Sequence, residues 1–150
     1  MEKINSILVV CLGNICRSPY AEYKLKELLK NKNQQNINVS SAGIYAMVGE
    51  KAHELSIQVG QERGLNLNAH IARQLNNKLI FENDLILVMD TAQKNRIEEN
   101  YAAAKGKVRC LGEFRNQSVQ DPYGKPYSAY EEMAHLVDDC LNDWVNEILV

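Results

Sequence analysis

At 150 residues, 45% hydrophobic and 24% charged, the chain has the length and composition of one soluble globular domain with a core of its own. A net charge of -2 excludes a general nucleic-acid binder, which carries a clearly basic face, but leaves room for one local anion pocket made of a few oriented donors. No apolar run approaches the roughly 20 residues of a membrane span, so no membrane insertion is expected.

In chain order, the opening MEKINSILVVCLGN lacks the long apolar region and cleavage site of a signal peptide, and a cytoplasmic location is expected. The four cysteines, Cys11, Cys16, Cys110 and Cys140, should then be mostly reduced. Ile4 to Val10 ends in a continuous apolar run and predicts a strand buried on both faces. Ser18 and Pro19 supply an N-cap and a first-turn proline for a helix whose stripe is Ala21, Leu25, Leu28 and Leu29. Ile37 to Ser41 predicts a second strand, closed by Gly43. Ala52, Leu55 and Val59 form a helical stripe that ends at Arg63-Gly64-Leu65, a glycine C-cap with its apolar follower. Asp84 to Met89 predicts a third buried strand, and Asp90 with Gln93 caps a helix running to about Ala104. Lys107 to Leu111 is a short fourth strand. Ser128 with Glu131 caps a last helix striped by Met133, Val137, Cys140, Leu141, Trp144, Val145 and Ile148.

The polar stretch 115–127 is short, and there is no repeat or charge block, so residues 1–150 read as a single domain. Alternating strands and helices predict an α/β fold: a four-stranded parallel twisted sheet with right-handed crossovers and helices on both faces. Ligands of such folds bind outside the carboxyl ends of the strands. Chemistry is therefore sought in the loop after the first strand, which begins at Cys11.

That loop reads Cys11-Leu12-Gly13-Asn14-Ile15-Cys16-Arg17-Ser18, a cysteine and an arginine with five residues between them. A tight turn from a strand end to a helix start can aim successive backbone N–H groups inward as a nest for an oxyanion. Gly13 and Asn14 tolerate the left-handed dihedrals such a turn needs. Arg17 can fold back and hold two phosphate oxygens in its planar fork. The inward donors and the helix start favour a thiolate at Cys11, to which Ser18 can give its hydroxyl proton. Singly, Cys11 reads as a buried small side chain, Ser18 as a cap and Arg17 as a surface charge. Together, at this spacing, they read as a phosphate-binding loop with a nucleophile at its base.

The segment CLGNICRSP resembles the signature loop of the low-molecular-weight protein tyrosine phosphatases. The likeness extends over nearly the whole chain, through Ser40-Ser41-Ala42-Gly43, His70-Ile71-Ala72-Arg73, Val88-Met89-Asp90 and Asp121-Pro122-Tyr123. It implies phosphotyrosine hydrolysis through a phosphocysteine on Cys11, with Asp121 first as acid and then as base, and no metal or cofactor. Asp121-Pro122 is also an ordinary turn start, and spacing alone does not choose between the two. The resemblance further implies a slot walled by Leu12, Ile15, Met47 and Tyr123, a hydrogen-bond network of Asn14, Ser41 and His70 that supports the loop, and a reversible disulfide between Cys11 and Cys16. Asp90 reads as a helix cap and Cys110 and Cys140 as packing; Tyr127 and Tyr130, which could equally be surface residues, are assigned no role.

Ala46-Met47-Val48-Gly49 resembles a bacterial-type branch of the family, whose members act on tyrosine kinases of exopolysaccharide export. The expected partner is therefore a phosphotyrosine protein, with such a kinase as the finer expectation; a monomer or weak dimer is expected. Three other readings stay open. Phosphoarginine phosphatases of this family carry threonine where Ile15 stands. Arsenate reductases of this fold need further cysteines near residues 80–90, where none occurs. A non-catalytic phosphate-binding module would have little use for Cys11, Arg17 and Asp121 together.

Overall fold

The computed structural model describes residues 3–148; the side chain of Ile148, assigned by the sequence to the last helical stripe, lies outside the described residues. Four strands, β1 (Ser6–Cys11), β2 (Asn38–Gly43), β3 (Leu85–Val88) and β4 (Val108–Cys110), form a parallel sheet in the order β2-β1-β3-β4. Alternation along β1 feeds two cores. Ile7, Val9 and Cys11 enter one with α1 (Arg17–Asn31), α2 (Glu54–Glu62) and α5 (Tyr127–Ile148). Leu8 and Val10 enter the other with α3 (Asn77–Glu82) and α4 (Thr91–Asn100). Each fully buried aliphatic side chain contributes about 1.5–3 kcal/mol, and five of the six residues of β1 are buried.

Because β2 and β3 flank β1 on opposite sides, the crossovers from β1 and from β2 leave in opposite directions. The crevice at the carboxyl end of β1 is the topological switch point. The loop from Cys11 to Ser18 sits there.

Several boundaries differ from the sequence reading. α1 begins at Arg17 with Cys16 at the cap position and no side-chain cap, so the Ser18 hydroxyl is free for another use. α2 begins at Glu54, leaving Ala52 in the preceding loop. His53 caps it, Nδ1 accepting from Leu55 N–H at 3.1 Å. At its other end Gly64, at φ +82, donates to Gln61 O (3.2 Å) and Leu65 donates to Gly60 O (2.8 Å), the double closure that the glycine signalled.

α3 was not anticipated; Asn76 caps it by accepting from Leu79 N–H at 2.9 Å. Asp90 caps α4 as read, accepting from Gln93 N–H at 2.8 Å. α4 stops at Asn100, however, and a 3₁₀ turn, Ala102–Ala104, follows. α5 is already helical at Tyr127, so Ser128 lies inside its first turn. Met133, Val137, Cys140, Leu141, Trp144 and Val145 are all buried, as their spacing implied. No helix among the described residues is long and apolar enough to cross a membrane.

Candidate active site

The loop after β1 is shaped by what its carbonyls bind. Cys11 O accepts from Ile44 N–H (3.0 Å), Leu12 O from Tyr45 N–H (2.9 Å), Gly13 O from Met47 N–H (3.0 Å) and Ile15 O from His53 N–H (2.8 Å). Asn14 O accepts from His70 Nε2 at 2.7 Å, and Cys16 O from the Ser56 hydroxyl at 3.0 Å. In a planar trans peptide the N–H points opposite to its C=O. With every carbonyl from Cys11 to Cys16 bonded on the outside, the N–H groups of Leu12 through Arg17 face the concave side. This is a nest of donors aimed at one point.

Asn14 makes the turn at φ 59, in the left-handed region. Gly13 was expected to share that conformation and does not. A Cβ there would stand 3.7 Å from Met47 Cγ, at ordinary contact.

The side chains under the loop form a chain of hydrogen bonds whose direction can be worked out. Arg73 N–H donates to Asn14 Oδ1 (3.0 Å), so the other end of that amide is the donor. Asn14 Nδ2 gives one proton to Ser18 Oγ (2.7 Å) and one to Ser41 Oγ (3.0 Å). Each hydroxyl therefore passes its own proton onward. Ser41 donates to Glu22 Oε1 (2.6 Å), and Ser18 donates to Cys11 Sγ (3.0 Å). The Ser18 N–H also points at Cys11 Sγ, at 3.4 Å. Glu22 is buried to 8% exposure, and its second oxygen is held by Lys26 at 2.6 Å. His70 must carry its proton on Nε2 to donate to Asn14 O, and burial lowers its affinity for a second proton. Asn14, Ser41 and His70 were expected here. Glu22 and Arg73 were not, although an acid at a helix position facing the core is a signal that can be read.

Above the sulfur lies an open cavity of about 250 Å³. Arg17 enters it from the first turn of α1, only 4% exposed. Its Nη1 donates to Val119 O (3.0 Å) and its Nη2 stands 3.6 Å from Asp121 Oδ2. The buried Nε has no acceptor among the described residues, so a strong donor remains for an anion. Asp121 closes the turn that the sequence allowed, Oδ1 accepting from Tyr123 N–H (3.1 Å), and its Oδ2 faces Arg17 at the cavity. Leu12, Ile15, Met47 and Tyr123 line the cavity as expected, joined by Tyr45, which the sequence reading passed over. An exposed aromatic side chain clamped by its backbone to the loop is the clue to it. Residues 6–149 match the family described as low molecular weight phosphotyrosine protein phosphatase.

The chain belongs to that family. It is 39% identical over 146 residues to the low molecular weight protein-tyrosine-phosphatase Ptp of Acinetobacter johnsonii, covering 97% of this chain and 99% of that protein. The crystal structure of the Erwinia amylovora tyrosine phosphatase AmsI is similar at a TM-score of 0.91 and 37% identity, over 97% of this chain and 94% of that one. Vibrio vulnificus Wzb in complex with benzylphosphonate is similar at 0.90 and 33% identity, over 97% and 99%. Two tyrosines of this low-molecular-weight phosphatase family member, to which the sequence assigns no role, make contacts across the fold. Tyr130 is fully buried, its ring stacked on His53 (5.2 Å between centroids) and its hydroxyl 3.5 Å from Cys16 Sγ. Half-buried Tyr127 donates to Glu62 across to α2. All four cysteines are free thiols; Cys140 is buried in the core, and Cys110 is half-buried against the opposite one.

Proposed function

We propose that the chain hydrolyses phosphotyrosine in a protein substrate. Arg17 and the loop N–H groups hold the three equatorial oxygens of the phosphate. Cys11 Sγ attacks phosphorus in line from the base of the nest, and the phosphorus–oxygen bond to the tyrosine breaks. Phosphate seated against Arg17 draws that guanidinium from Asp121, whose Oδ2 then gives its proton to the leaving phenolate oxygen. In the second step Asp121 takes a proton from water, the water oxygen displaces sulfur from phosphorus, and the Ser18 hydroxyl steadies the departing thiolate. The observation that carries this reading is the arrangement around one point: Cys11 Sγ under an inward nest, with a buried Arg17 Nε that lacks an acceptor among the described residues.

The substrate follows from the walls. Leu12, Ile15, Met47 and Tyr123 make a largely apolar slot, and apolar walls favour a phenyl ring over the short polar side chain of phosphoserine. Ile15, where phosphoarginine phosphatases of the family carry threonine, supports tyrosine. A tyrosine kinase of exopolysaccharide export, in the cytoplasm, is the partner we assign. Cys16 is assigned as the residue with which an oxidised Cys11 closes a reversible disulfide. Burial pushes its thiol up to about 11, which keeps it protonated and inert until then.

Phosphate release from a phosphotyrosine peptide, without added metal, tests the scheme in wild type, Cys11→Ser and Asp121→Ala. Turnover should vanish with Cys11→Ser and fall by about 10²–10⁴ with Asp121→Ala. Faster release from a phosphoarginine substrate would keep the mechanism and move the substrate. Inactivity of freshly reduced protein on both would leave a binding module.

A further inference from the structure

The segment after β2 separates the phosphate cavity from a second hollow of about 170 Å³, on the side of the sheet that carries α4. Tyr45 lines both. Its backbone is fixed: Tyr45 N–H donates to Leu12 O (2.9 Å), and the Gln74 amide ties down both neighbours, accepting from Ala46 N–H (2.9 Å) and donating to Ile44 O (2.6 Å). The ring itself is 60% exposed and meets Arg96 from α4, whose guanidinium carbon stands 4.5 Å from the ring centroid.

Arg96 is exposed and takes part in no ion pair among the described residues. The other cation of the same helix, Lys94, is already joined to Glu98 at 2.9 Å. A guanidinium held over an aromatic face keeps its in-plane N–H fork available, and that fork matches a carboxylate. The rest of the lining is mixed: Ile44, Leu75 and Ile97 suit the methylene stem of an acidic side chain, and Asn100 and Tyr101 add polar groups beside Arg96.

We propose that this hollow is a substrate subsite in which Arg96, stacked on Tyr45, binds an aspartate or glutamate flanking the phosphotyrosine. The proposal rests on the phosphotyrosine reading above. An extended peptide advances about 3.3 Å per residue, so an acidic side chain a few positions from the phosphotyrosine crosses Tyr45 and reaches the guanidinium.

Two phosphotyrosine peptides that differ only in flanking glutamate against glutamine test the proposal, with free phosphotyrosine as the reference. Wild type should hydrolyse the acidic peptide with a kcat/KM about fivefold higher, the worth of a good exposed ion pair. Arg96→Gln should abolish that preference and Arg96→Glu should reverse it, both leaving hydrolysis of free phosphotyrosine unchanged. Equal rates for the two peptides in wild type, or a preference that survives Arg96→Gln, would overturn the subsite while the phosphatase reading stands. Loss of turnover even on free phosphotyrosine in the wild type would remove the function and the subsite together.

Discussion

Ser18 sits second in α1, where a serine ordinarily spends its hydroxyl on the helix backbone, yet here the hydroxyl is committed to sulfur. The commitment is inherited: Arg73 fixes the Asn14 amide, and Asn14 fills the acceptor side of Ser18. A hydrogen bond to a developing charge is worth about 1.5–3 kcal/mol, or about tenfold to a hundredfold in rate. In the proposed second step that charge develops on the departing sulfur. Ser18→Ala should therefore slow breakdown of the phosphocysteine more than its formation, and rapid-mixing kinetics with an aryl phosphate should show the steady phase slowed more than the first turnover, relative to wild type. Equal slowing of both phases would mean that the hydroxyl merely supports the loop. The sequence names Ser18 plainly. It cannot name Arg73, whose contribution to Asn14 is a backbone N–H that any residue but proline supplies.

At the scale of elements, the nest is assembled by its neighbours. β2 ends at Gly43, which is paired with Cys11, and the chain turns there to supply the donors of Ile44, Tyr45 and Met47. A Cβ on Gly43 would lie 2.8 Å from Leu12 O and 3.0 Å from Ala46 Cα, with backbone on both sides. Relief requires the phosphate loop and the 44–47 segment to part. Gly43→Ala should cost about 1–3 kcal/mol of stability in urea denaturation and weaken competitive inhibition by inorganic phosphate. Wild-type phosphate inhibition in that variant would show that the loop keeps its shape without this contact.

Strands and long helices were legible because burial on one face or two leaves a period in the sequence. The six-residue α3 is too short for a period, so only its Asn76 cap speaks for it. The start of α1 was misplaced because the usual capping residue had been drawn into the chemistry.

At the scale of the molecule, His70 couples the loop to folding. Burial holds its proton affinity below the ordinary 6.5, so the folded chain keeps it neutral where the unfolded chain binds a proton. The unfolded state then binds more protons as pH falls below about 6.5. The stability His70 contributes is complete above that value and is lost as pH falls toward the folded-state value. Urea midpoints measured from pH 7.5 down to 5.5 should drop more steeply for wild type than for His70→Gln. Parallel curves would show that other groups govern the acid side.

The outward anchoring of the carbonyls from Cys11 to Cys16 has one more consequence. The anchors come from three stretches of chain, the 44–47 segment, the start of α2 and His70, so the cradle is held by the fold rather than by the ligand and stays complete after the chemistry is over. Free phosphate offers it the same oxygens that the ester did. Such a rigid receptor cannot tell what it has made from what it was given. Selectivity is displaced to the rim, and the end product of each turnover competes with the start of the next.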